Sequence, residues 1–148
     1  MQSQYNKIAK KIIRNNIYLT LSTAGKDGNP WAAPLFYCLD DKYNFYFISQ
    51  LASLHVKHIL ESPKVAFSIF DSHQPEGSGN GIQGFGKAVE LKDDEIDNAL
   101  KWYRTSFIEY IPGYFKGDSY RIFKLVPKEV YILDPDAQID QRVKVKLC

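Results

Sequence analysis

Residues 17–49, IYLTLSTAGKDGNPWAAPLFYCLDDKYNFYFIS, hold three apolar-rich runs separated by very short connections. AGKDGNP and DDKYN carry the Gly, Asp, Asn and Pro residues that make tight turns. The runs IYLTLST, WAAPLFYCL and NFYFIS have the alternation and the aromatic content of strands. Parallel neighbours would need a crossover of a dozen or more residues. The connections are far shorter, so the three strands form an antiparallel meander. Together with an aromatic content of 14%, this favours a largely antiparallel β fold over a helical bundle.

The rest of the chain extends the pattern. Tyr5, Ile8, Ile12 and Ile13 recur at helical spacing, which predicts a short amphipathic helix over roughly residues 3–15. A second helix starts at Ser53 and is closed by Ser62-Pro63, with Val56, Ile59 and Leu60 on its apolar face. The strand VAFSIF follows. SHQPEGSGNG is then a Gly-, Ser- and Pro-rich loop, either a lid or a connector.

GIQGFGKAVEL reads as a long strand with Ile82, Gly84, Gly86 and Ala88 on one face. Glycine inside a strand marks a bulge or the close approach of another backbone or a ligand. Asp93-Asp94 begin a third helix, carrying Ile96, Ala99, Leu100 and Tyr103 on one side. YRIFKLV and EVYIL are two strands around a Pro-Lys turn, and RVKVKL is a last short one. The expectation is one domain over residues 1–148, mainly β: a six-to-eight-stranded antiparallel split barrel, Greek-key-like, with flanking helices.

Charge and cysteine usage remove several function classes. A net charge of +2 does not point to nucleic acid. Cys38 and Cys148 are the only cysteines and offer neither a disulfide framework nor metal-site spacing. The N-terminus interrupts its apolar residues with Lys and Arg, so neither a signal peptide nor a membrane span is expected. A cytoplasmic protein follows. No Ser-His-Asp, metal-ligand or P-loop pattern is present. Asp40-Asp41 and Asp93-Asp94 belong to a turn and a helix start, and form no acid–base pair.

The junction FISQLASLHVKHI carries the candidate chemistry. Ser49 closes a strand, Ser53 stands at the N-cap of the next helix, and His55 lies in its first turn. Free amides, the positive end of the helix dipole, two hydroxyls and a titratable imidazole are the parts of a phosphate site. Phosphate would favour protonated His55, and binding would weaken as pH rises. The same residues also fit a plain helix cap.

The order of these motifs resembles the split β-barrel flavoproteins related to pyridoxamine 5′-phosphate oxidase. The resemblance rests on the D-G turn after the first strand, Ala33-Pro34 with Phe36, the Ser49, Ser53 and His55 set, Ser62-Pro63 and the G-x-A strand. It implies an FMN-binding homodimer acting as an oxidoreductase on a small molecule. Ile48, Ser49, Ser53, Leu54 and His55 would surround the phosphate, and the backbone of Ala33, Pro34, Leu35 and Phe36 would line the flavin. Gln83 would reach the flavin across the dimer interface, and Arg142 matches a basic position near the family's C-terminus.

Leu54-His55 stands where many relatives have Arg-Lys, one cation fewer. Gln141-Arg142-Val143-Lys144 lacks the Arg-x-His of the true oxidases, which argues against that activity. A haem or flavin carrier without turnover and a deazaflavin enzyme are the alternatives. Elsewhere, Trp31 and Trp102 are read as core or interface aromatics. Lys57 and His73 are read as solvated, and Tyr110, Tyr114 and Phe115 as the wall of a pocket or the cover of one barrel end.

Overall fold

A computed structural model describes residues 1–103 and 119–148. Tyr110, Tyr114 and Phe115 lie outside the described residues. The elements run α1 (Gln2–Asn15), β1 (Tyr18–Ala24), β2 (Pro30–Phe36), β3 (Cys38–Leu39), β4 (Phe45–Gln50), α2 (Leu54–Glu61), β5 (Lys64–Phe70), β6 (Gly81–Glu90), α3 (Asp94–Leu100), β7 (Tyr120–Leu133) and β8 (Arg142–Val145). All strand pairs are antiparallel, in the order β2-β1-β5-β6-β7-β4-β3, with β8 on β7. The fold is mainly β, a split barrel with flanking helices.

The expected second strand is interrupted once. Tyr37 separates β2 from β3, so a nearly continuous segment occupies both edges of the sheet. Its phenol donates to the Ile13 carbonyl at 2.5 Å, pinning the end of α1 to this corner. Burial pushes the Tyr37 phenol pKa far above its ordinary value.

Period-two alternation fills the interior. Leu19 and Leu21 of β1, Phe45 and Phe47 of β4, Phe67 and Ile69 of β5 and Phe123 and Leu125 of β7 all point inward and are fully buried or nearly so. Phe47 stacks on Phe123 with ring centroids 5.3 Å apart. Helix α1 buries Tyr5, Ala9, Ile12 and Ile13, the i, i+4, i+7, i+8 stripe of an amphipathic helix, against this core. A smaller apolar cluster lies on the other face of β4 and β7, where α3 packs. There Tyr46, Ile122, Leu91, Ala99 and Tyr103 meet Phe36 and Ile48.

One expectation is corrected. The Pro-Lys pair of residues 127 and 128 is no turn: β7 runs straight through it as one 14-residue strand. The irregularity is a bulge, because Phe85 pairs with Glu129 while Gly86 pairs with Pro127, leaving Lys128 as the extra residue. The glycines of β6 explain it. A Cβ on Gly86 would stand 2.1 Å from the Val126 carbonyl oxygen, and one on Gly84 2.6 Å from that of Glu129. Two backbones approach each other there, so the small face serves strand packing.

Candidate functional site

The loop from β4 into α2 is short, so Ser49 and the first turn of the helix are neighbours. Ser53 is the N-cap with extended backbone, φ −69° and ψ 150°. Its hydroxyl does not cap the helix: it donates to the Gln50 carbonyl at 2.6 Å. The first helical bond runs from the Lys57 amide to the Ser53 carbonyl at 3.1 Å. The amides of Leu54, His55 and Val56 precede it and have no helical acceptor. No side chain takes the cap position, so those donors remain available to an anion. This donor set fits a phosphate.

Ser49 and His55 do come together, but differently from the expectation. Both are buried, and His55 Nε2 lies 2.7 Å from Ser49 Oγ. Burial, and secondarily the neighbouring His58, hold the His55 imidazole pKa below its ordinary value. In this arrangement the ring is a neutral hydrogen-bonding partner and not a ready cation. His58 is buried too, with Nδ1 2.9 Å from Thr23 Oγ1 of β1. The two imidazoles dock α2 onto the barrel through hydroxyls. Lys57 and Leu54 are exposed.

A cation that sequence reasoning missed stands nearby. Arg121 of β7 pairs in register with Ser49, and its Nε lies 3.6 Å from Glu90 Oε1. In sequence it is only the charged second residue of YRIFKLV. The β4–β7 pairing that places it joins segments far apart in the chain and leaves no local signal.

The remaining predicted residues fall into two groups. On β2, Ala33 is buried, Pro34 is exposed, and Leu35 and Phe36 are half-buried, with Phe36 edge-on to Tyr103 at 5.8 Å. Gln83 and Arg142 lie elsewhere and line one concave site of about 280 Å³ with Ser68 and Phe70. The register links the two groups. Pro34 pairs with Thr20, Thr20 with Ser68, and Ser68 with Gln83, one lateral row across β2, β1, β5 and β6. At a strand spacing of about 4.8 Å, Pro34 and Gln83 are roughly 14 Å apart.

A groove of about 790 Å³ lies on the same sheet, lined by Ser22, Ala24, Ala66, Phe85 and Val126 among others. Trp31 and Trp102 are 48% and 40% exposed, so neither is a core residue. His73 is solvent-exposed beside Asp71, as expected. Among the described residues no group of three or more His, Cys, Asp or Glu side chains could hold a metal. None of the described helices is long and apolar enough to cross a membrane.

Comparison with known proteins follows the same lines. Sequence comparison with curated proteins gives no significant match. Among solved structures, a haem-binding protein from Mycobacterium smegmatis superposes with a TM-score of 0.78 at 16% identity, over 96% of this chain and 57% of that one. This chain therefore spans less than two thirds of that protein's length. A general stress protein 26-related protein of the pyridoxine phosphate oxidase family from Clostridium acetobutylicum superposes with a TM-score of 0.72 at 14% identity, over 99% and 97% of the two chains. The haem storage protein HutZ from Vibrio cholerae gives 0.66 at 15% identity, over 83% and 90%. These likenesses establish the fold. The family model for pyridoxamine 5′-phosphate oxidase matches residues 6–134, most of the chain, and the protein belongs to that family.

Proposed function

We propose that the protein binds FMN in a site completed by a second copy of the chain and works as an oxidoreductase on a small molecule. One observation carries this reading. The two groups of site residues sit three strands apart on one sheet, with Gln83 and Arg142 on the far side of β1 and β5 from β2, a layout that suits a site whose second half comes from another copy of the chain. A two-fold pairing across the outer face of β1, β5 and β6 brings one chain's α2 terminus and β2 toward the other chain's Gln83 and Arg142.

The roles divide by chemistry. The amides of Leu54 to Val56 hold the phosphate, joined by the Ser53 hydroxyl once it turns away from the Gln50 carbonyl, with Ser49 and His55 behind them. The β2 backbone orients the ring, and Gln83 supplies a hydrogen-bonding amide from the partner. The bound flavin supplies the hydride chemistry, and the chain positions it and limits water access.

FMN titration followed by flavin fluorescence tests the reading. Ser53→Ala/His55→Ala is expected to weaken binding about tenfold, the loss of roughly 1.4 kcal/mol. Gln83→Ala/Arg142→Ala should weaken it as well. Refolding the two variants together generates heterodimers with one intact site, so FMN binding returns in the mixture. Two folded variants that never complement each other refute the shared site.

A second reading has its own support. Two of the structural neighbours are a haem-binding and a haem storage protein. With His55 and His58 buried against hydroxyls, His73 is the exposed imidazole that would be free to hold a haem iron. A Soret band on haem addition that His73→Ala abolishes, with no FMN saturation, would replace the flavin reading. A deazaflavin-bound form would be told apart by its absorbance.

A further inference from the structure

The end of the barrel opposite Ser49 carries a second candidate site. There the β3–β4 turn, the bulge of β7 and strand β8 line a half-open cavity of about 380 Å³. Its size is at the small end of the range for ligand pockets. Lys42, Lys128, Lys144 and Lys146 line it, over an apolar wall that includes Pro127 and Leu147. Among the described residues one carboxylate pairs with these lysines: Glu129 Oε1 lies 2.8 Å from Lys144 Nζ. Two more cations adjoin, with Lys10 Nζ 5.5 Å and Arg14 Cζ 5.1 Å from the ring centroid of Tyr43, which also lines the cavity. The whole chain has a net charge of only +2. Six cations thus gather around this cavity, against Glu129 and the turn carboxylates Asp40 and Asp41.

The fold builds this concentration deliberately. The missing Cβ of Gly86 lets β7 bulge, and the bulge throws Lys128 out of the ladder toward the cavity. Alternation along β8 sends Val145 inward and sets Lys144 and Lys146 on the opposite face. The Lys146 amide is fixed by Asn6 Oδ1 at 2.8 Å, and the Lys42 carbonyl accepts from the Cys148 thiol at 2.8 Å. Asn44 borders the cavity and Ser49 lies five residues further along β4, so the two sites are roughly 17 Å apart.

We propose that this cavity is a second anion site, taking a small phosphorylated ring compound of the nucleotide type. The phosphates would meet the lysines and the ring would lie on the apolar wall. The inference does not depend on FMN binding at α2.

Calorimetric titration with ADP, and with adenosine as the uncharged control, tests it at low salt. The expected result is saturable ADP binding, no adenosine binding, and a loss of about tenfold or more in Lys128→Gln/Lys146→Gln, which removes two charged donors. These lysines are exposed, and an unchanged thermal melt confirms that the variant folds. Ser53→Ala/His55→Ala should bind ADP like the wild type. Absence of ADP binding at millimolar concentration overturns the proposal. So does equal binding by the lysine variant, or loss of binding in the serine–histidine variant alone.

Discussion

At the scale of single residues, the buried His55–Ser49 pair makes stability depend on pH. The folded imidazole has a pKa below its ordinary value of 6.5, chiefly through burial. As pH falls through about 6.5, the unfolded chain takes up a proton that the folded chain resists. Stability contributed by the neutral ring is therefore complete above that pH and is lost below it. Urea midpoints should drop between about pH 7.5 and about pH 5.5, and His55→Gln should flatten the drop. A saturating anion at the α2 terminus would oppose this loss by favouring the protonated ring. Tyr37 allows a second test. Tyr37→Phe leaves the Ile13 carbonyl without its 2.5 Å donor, at an expected cost of about 1–2 kcal/mol in chemical denaturation.

At the scale of elements, the β6–β7 bulge is the most sharply determined feature. Gly86→Ala would drive a methyl into the Val126 carbonyl oxygen, 2.1 Å from an ideal Cβ. The ladder must shift, so a destabilisation of about 3 kcal/mol is expected, read from the thermal midpoint. The bulge also shows what a sequence reveals and what it hides. Alternation located the strands, and the glycine spacing announced a close approach, because both are local properties. Pro127-Lys128 looked like a turn because a proline–lysine break between two apolar runs is locally identical in a hairpin and in a bulged strand. Only the pairing with Gly86 separates the two cases. The candidate site divides in the same way. Ser53 and the helix start were legible from the N-cap pattern. Arg121 beside Ser49, and the burial of His58 against Thr23, depend on neighbours far along the chain.

At the scale of the whole molecule, the outer sheet face carries exposed aromatic side chains. Tyr18, Phe70 and Phe85 are all exposed on β1, β5 and β6. Under the proposed pairing, Phe85→Glu should give a monomer by analytical ultracentrifugation, with an unchanged far-ultraviolet spectrum and FMN binding lost. A dimer that survives this change would move the interface elsewhere. The topology has a further consequence, in time. Strand β4 is made early, yet one neighbour is only the two-residue β3 and the other is β7, whose Leu125 pairs with Phe45. Closing so long a loop comes before any reward from that ladder, and non-local β pairings of this kind place folding in the millisecond-to-second range. During synthesis, β4, which ends at Gln50, waits with an unpaired edge until β7 has emerged. The junction between β4 and α2 is therefore completed only after β7 has been made.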